Sequence, residues 1–214
     1  MNRKLDPEKT ALIVVDMQND FCHPDGFYAR ASSLIEPLGL KPALVTEGID
    51  KIKPLLDQAR EAGIFIVHTQ IVRDAVPDNV GTLHNIVAQT FDAVSKLSGP
   101  PSLMPDSWGA ETHVELKPNE GEYVVKKRSF SAFYGTDLEV ALRRRNIRTV
   151  ILAGTITYAC VLHTAFDANI RDFDVIVSSD SSVSWDSDLQ EPTLRIIDLI
   201  LGQSMTTEDI IKII

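Results

Sequence analysis

Five short runs of apolar, largely β-branched residues punctuate the chain, at residues 11–16 (ALIVVD), 64–68 (IFIVH), 122–126 (EYVVK), 149–153 (TVILA) and 174–178 (DVIVS). None alternates regularly with polar residues, so each reads as a strand buried on both faces, the pattern of a parallel sheet. Between the first two runs, Val45, Ile49, Ile52, Leu56 and Ala59 recur at helical spacing. Gly63 falls where a C-terminal cap belongs, and Pro54 sits inside the pattern, placed to kink the helix. Thr136 with Glu139, and Thr206 with Asp209, carry the S/T-x-x-E/D spacing of a helix start; the first opens a helix through Arg145 and the second the last helix. Residues 22–40 hold Pro24, Gly26, Pro37 and Gly39 without periodicity and read as a loop long enough to be functional.

Strands alternating with helices predict a three-layer doubly wound α/β fold. Its central sheet is expected to be mostly parallel, of about six strands, flanked by helices, in a single domain spanning residues 1–214. In such folds the ligand crevice lies outside the carboxyl ends of the strands. That rule picks out Asp16 at the end of the first strand, Gln70 after the second, Lys127 at the end of the third, and Cys160 at the opening of the helix after the fourth.

Composition narrows the partners. A chain of 214 residues with 44% apolar and 24% charged residues is long enough for one sizeable core. Thirty acidic against 21 basic residues leave a net charge of -9, and basic residues concentrate only at Arg143, Arg144 and Arg145, on a predicted helix. Neither nucleic acid nor an anionic membrane is therefore an expected partner. Residues 1–10 are too polar for a signal peptide, and no apolar stretch reaches the roughly 18 residues of a membrane span, which together predict a cytoplasmic protein. Cys22 and Cys160, the only two cysteines, are too few for a disulfide framework or a multi-thiolate metal site.

One special thiol is compatible with that count. Cys160 follows a buried strand near the start of a helix, and both a helix N-terminus and a neighbouring lysine favour a thiolate. They are expected to lower its pKa from about 8.5 into the range of roughly 3.5 to 7.5. Free N–H groups at such a turn suit the oxyanion of a tetrahedral intermediate. Asp16, closing an apolar strand, needs a cationic partner, and Lys127 is placed to be it. An acid, a lysine and a thiol converging at strand ends make a proton acceptor, a charge stabiliser and a nucleophile. The same residues also fit a plainer description, a structural Asp–Lys pair beside an inert core cysteine.

Three segments resemble a known family. Residues 14–21 (VVDMQNDF), residues 127–133 (KRSFSAF) with Thr136 and Leu138 following, and residues 154–161 (GTITYACV) look like the signatures of the isochorismatase-like cysteine hydrolases, in that order across Lys9 to Ile214. The resemblance implies Cys160 as nucleophile, Asp16 as acid/base and Lys127 as the lysine, with Lys126 pointing away because neighbouring strand residues face opposite sides. It further implies a cis peptide between Thr155 and Ile156, an oxyanion hole built from the backbone amides of Ile156 and Cys160, and a homo-oligomer, dimer or tetramer.

Nicotinamidase-like members bind a metal through an Asp and paired histidines after the second strand. Here residues 68–74 read HTQIVRD without that pattern, so neither a metal nor another cofactor is expected, and His23, His68, His84, His113 and His163 read as surface or structural. True isochorismatases replace the cysteine, so its retention points to acyl chemistry. Residues 106–111 (DSWGAE) resemble a loop of members acting on carbamoyl and ureido compounds, such as N-carbamoylsarcosine amidase, biuret hydrolase and ureidoacrylate amidohydrolase. The expected substrate is thus a small amide, ureide or N-carbamoyl compound.

Phe21, Gln70, Trp108, Phe133 and Tyr158, on or beside these motifs, are candidate pocket walls, and Arg73 is placed either to bind a substrate carboxylate or to sit solvated on a loop. The alternatives are a nicotinamidase- or isochorismatase-type hydrolase, or a silent binding or assembly member of the fold. The retained Asp16, Lys127 and Cys160 speak against silence, and the lack of a C-x-x-C pair against a redox protein.

Overall fold

The computed structural model of the protein describes residues 4–73 and 102–214; Asp74 and His84 lie outside them. Six strands form one sheet: β1 (Thr10–Val15), β2 (Phe65–Ile71), β3 (Tyr123–Lys127), β4 (Thr149–Thr155), β5 (Asp174–Val183) and β6 (Gln203–Met205), in the order β3-β2-β1-β4-β5-β6. Every pairing between them is parallel. All six residues of β1 are buried, as a central strand covered on both faces must be.

The apolar faces sort into two layers. One buries Leu12, Val14 and Ile66 under helix α4 (Ala43–Glu61) and the C-terminal helix α8 (Thr207–Ile213). The other buries Ala11, Ile13, Val67 and Val150 under α5 (Leu138–Arg144), α6 (Leu162–Asn169) and α7 (Ser187–Ile196). Helix α4 presents Val45, Ile49, Ile52, Leu56 and Ala59 inward, runs through Pro54 as one element, and ends just before Gly63, whose φ of +74° suits a left-handed cap. Among the described residues no helix is long and apolar enough to cross a membrane.

Two local expectations are corrected. Residues 22–40 are not a loop: with Asn19–Cys22 as α1, they form α2 (Phe27–Arg30), α3 (Ser32–Ile35) and a 3-10 turn (Glu36–Leu38). Phe27, Tyr28, Ala31 and Ile35 bury against the first layer, and pieces this short show no period to read. Thr136 does not cap α5 through a capping box. Asp137 holds the N-cap position without a side-chain bond, and the Thr136 hydroxyl donates to Ala132 O at 2.6 Å. Thr206 does cap α8, its Oγ1 accepting from Asp209 N at 3.2 Å.

The strand order places the topological switch between β1 and β4. From β1 the chain winds one way to β2 and β3; from β4 it winds the other way to β5 and β6. Connections diverging on opposite sides leave a crevice above the carboxyl ends of that pair.

Candidate active site

Asp16 leaves β1 with φ 49°, a left-handed turn that Asp tolerates better than most residues. Its N–H donates to Thr69 O at 3.2 Å and to Thr69 Oγ1 at 3.1 Å, while the Thr69 hydroxyl donates to Asp16 Oδ1 at 2.6 Å. The other carboxylate oxygen, Oδ2, lies 2.7 Å from Lys127 Nζ. Both ion-pair side chains are wholly buried.

Lys127 ends β3 opposite Ile71 of β2. Residues 129 and 130 then turn so that their carbonyls accept from its ammonium at 3.0 Å each, and Cys160 Sγ lies 3.3 Å from the same nitrogen. The ammonium's three N–H groups thus serve the two carbonyls and the sulfur, while Asp16 Oδ2 is held as an ion pair outside those bonds. Burial works against the ammonium, but its surroundings, the Asp16 carboxylate foremost, outweigh it and raise the lysine above its ordinary value, so it stays protonated. Lys126 faces the other way, exposed and paired with Asp106 at 3.1 Å.

Cys160 sits on a π-helical turn, Thr157–Val161, that leads into α6. The turn hangs on one carbonyl: Ile156 O accepts from Ala159 N at 2.9 Å and from Val161 N at 3.2 Å. The Thr155–Ile156 peptide is cis. Gly154 lets the end of β4 press on β1, because a Cβ built there would stand 2.1 Å from Val15 O. That contact brings the segment bearing the thiol beside Asp16.

The thiol does not have the lowered pKa expected of it. Burial pushes it up to about 12; Lys127 pulls down while the Asp16 carboxylate pushes up again. Lys127 acts in the expected direction, but Cys160 is only 4% exposed, and desolvation of a thiolate outweighs it. At rest the sulfur carries its proton.

The candidate wall residues divide. Phe21 stacks on Tyr28 at 5.0 Å and meets Trp185 at 6.0 Å, in an aromatic cluster next to the carboxyl end of β5. Gln70 donates to Thr112 at 3.1 Å and lines a cavity of about 230 Å³ with Ser107 and Lys126. Trp108 is 47% exposed, edge-on to His23, with its carbonyl held by Asn19. Tyr158 is half-buried against the first layer. Phe133 is buried in the second layer: its ring packs on Phe173, just before β5, and beneath the Arg171 guanidinium. Arg73 continues from β2 beside Lys127, its N–H bonded to Leu103 O.

Residues that the sequence did not single out also build this end of the sheet. Asp20 accepts from Phe27 N at 3.0 Å and Leu103 N at 2.7 Å, and its carboxylate occupies the space a side chain at Gly109 would need. Gln18 bridges Ile71 and Ala110. Together with Asn19 they fasten residues 102–112 to the ends of β1 and β2. Tyr28 is fully buried near Ser102; burial pushes its hydroxyl up to about 12, while Arg73 and the bond with Ser102 oppose the rise. Only its helix-breaking surroundings were visible in the sequence. A larger cavity of about 660 Å³, lined by Arg60, Phe65, Glu122 and Arg145, opens at the amino ends of the strands, away from this centre. Among the described residues no group of three His, Cys, Asp or Glu side chains is arranged to hold a metal ion.

The isochorismatase domain model matches residues 10–209. An uncharacterized isochorismatase family protein of Bacillus subtilis, YwoC, is 32% identical over 208 residues, covering 97% of this chain and 95% of that protein. Ureidoacrylate amidohydrolase RutB of Caulobacter segnis is 29% identical over 212 residues, covering 96% and 85%. Among solved structures, a cysteine hydrolase from Pseudomonas syringae superposes with a TM-score of 0.77 at 26% identity, over 98% of this chain and 94% of that one. N-carbamoylsarcosine amidase from Thermoplasma acidophilum gives 0.69 at 26% identity, over 94% and 97%.

Proposed function

The chain belongs to the isochorismatase family of hydrolases, and from that premise we propose that it is a cysteine-dependent amidohydrolase, cleaving a C–N bond of a small amide, ureide or N-carbamoyl compound through a thioester. One observation carries the reading: a single buried ammonium, Lys127 Nζ, lies 2.7 Å from the Asp16 carboxylate and 3.3 Å from the Cys160 sulfur, at the switch point of the sheet. A base and a nucleophile held against one cation suit the geometric demand of covalent catalysis. The names of the amidohydrolase relative and the amidase neighbour support the class of bond.

The raised thiol favours one order of events. Because a free thiolate is disfavoured at rest, Asp16 takes the Sγ proton as the sulfur attacks the substrate carbonyl, not before. The backbone amides of Ile156 and Cys160 receive the oxyanion. Collapse of the tetrahedral intermediate breaks the C–N bond, and Asp16 returns the proton to the departing ammonia or amine. Water, deprotonated by Asp16, then attacks the thioester and frees the acid and the thiol. Lys127 stays charged throughout and balances the carboxylate.

The test is ammonia release from a panel containing ureidoacrylate, N-carbamoyl amino acids, biuret, nicotinamide and short aliphatic amides. Turnover of a carbamoyl or ureido compound is expected, with a loss on the order of a thousandfold or more in Cys160→Ser. Wild-type rates in that variant would remove the nucleophile from the scheme.

A further inference from the structure

We propose that Thr69 is a positioning residue that fixes which oxygen of Asp16 faces the thiol. The inference rests on the reading of Asp16 as the base for Cys160 and adds to it a residue outside the three. Thr69 lies on β2 as the Cα partner of Val15, the residue before Asp16. It is 1% exposed and 53 residues away in sequence.

A carboxylate has two equivalent oxygens and a soft terminal torsion. To serve as a base it must hold one lone pair toward the sulfur. Here the two oxygens are distinguished by their partners: Oδ1 accepts from the Thr69 hydroxyl at 2.6 Å and Oδ2 faces Lys127 at 2.7 Å. The hydroxyl has one hydrogen. Since it also accepts the Asp16 N–H at 3.1 Å, that hydrogen is directed at Oδ1, and Asp16 N, Thr69 Oγ1 and Asp16 Oδ1 close a ring. The β-branched side chain is stiff at χ1, so the position of Oγ1 is set by the strand itself. Asp16 N also makes a bond to Thr69 O at the edge of the ladder, where the left-handed turn takes the chain out of the sheet. One residue therefore anchors both the backbone and the carboxylate of the base, leaving Oδ2 as the oxygen that exchanges a proton with sulfur.

Two substitutions separate positioning from packing. Thr69→Val keeps shape and removes the hydroxyl; Thr69→Ser keeps the hydroxyl and removes the methyl. With the best substrate of the panel, Thr69→Val is expected to lower kcat roughly tenfold or more, the factor a lost buried hydrogen bond implies, with KM little changed. Thr69→Ser should stay within about threefold of wild type by the same reasoning. Alkylation of Cys160 by iodoacetamide gives a second readout that needs no substrate, with Asp16→Asn as reference: Thr69→Val should shift the rate in the same direction as Asp16→Asn does, and Thr69→Ser should leave it near wild type.

If the panel gives no turnover, the proposed reaction fails while the alkylation series still reads Thr69. Thr69→Val behaving as wild type in both readouts, Thr69→Ser impaired as much as Thr69→Val, or alkylation indifferent to Asp16→Asn would each overturn the proposal. Should Thr69→Val not fold, Thr69→Ala against Thr69→Ser carries the same contrast.

Discussion

Lys127 Nζ and Asp16 Oδ2 stand 2.7 Å apart with neither side chain reaching water. Removing one member of such a pair leaves the other charge buried and uncompensated, which costs about 3–5 kcal/mol. Lys127→Met, similar in shape and uncharged, should therefore lower stability by that order in urea unfolding and abolish turnover. The double variant Asp16→Asn with Lys127→Met should recover part of the stability and none of the activity. A single Lys127→Met that unfolds at the wild-type midpoint would show that the pair is not held as described.

Alkaline pH should weaken the fold through the same cluster. Burial holds the Cys160 thiol up at about 12 against an ordinary 9.0, and the charges around Lys127 raise it above 10.5. Both groups bind their protons more tightly folded than unfolded, so their contribution is complete below about pH 9 and is lost as pH rises from there toward 12. Burial pushes the Cys22 thiol up with the same sign, so the informative comparison is with Cys160→Ala. Its urea midpoint should fall less steeply than that of wild type between pH 8 and pH 11.

Acid pH acts at the far end of the sheet. Glu122 is held down at about 2: burial opposes this, but bonds from Arg60, Asn119 N and His68 prevail. Its stabilisation is present above the unfolded value of 4.5 and is lost as pH falls from there to about 2. His68 is lowered below 6.5, chiefly by burial, so it adds a loss that begins below that pH. Measured from pH 5 to pH 3, wild type should lose stability more steeply than Glu122→Gln; parallel curves would remove the cluster from the account of acid unfolding.

Gly154→Ala probes the contact that joins β4 to β1. With φ +132° and a Cβ position 2.1 Å from Val15 O, the methyl has no place without separating the two strands. Overpacking of this kind costs about 1–3 kcal/mol before any backbone strain is added. Because the displaced strand leads into the turn bearing Cys160 and its neighbour leads into Asp16, turnover should fall further than stability alone predicts. A folded variant with unchanged kcat would show that the thiol and carboxylate do not depend on this approach.

Much of the architecture was legible along the chain. The apolar runs at residues 11–16, 64–68, 122–126, 149–153 and 174–178 marked five of the six strands; the expectation of burial on both faces holds for central β1 but not for the edge strand β3, where Val124 and Lys126 are exposed and Val125 and Lys127 buried. The sixth, Gln203–Met205, is three residues long with one exposed and two half-buried side chains, and leaves no such trace. Strand ends combined with motif resemblance picked out Asp16, Lys127 and Cys160, and alternation along β3 separated Lys127 from Lys126.

The sequence by itself determined which residues are apolar enough to form strands, and that an acid, a lysine and a thiol follow three of them. Folding decided their chemistry. Whether Cys160 rests as thiol or thiolate depends on how completely its surroundings exclude water, and the burial of Phe133 against Phe173 and Arg171 is a tertiary contact no local pattern announces. The bond that orients Asp16 joins residues 53 positions apart. Periodicity reports the burial of one segment; desolvation and long-range hydrogen bonds are properties of segments brought together, so only the folded chain contains them.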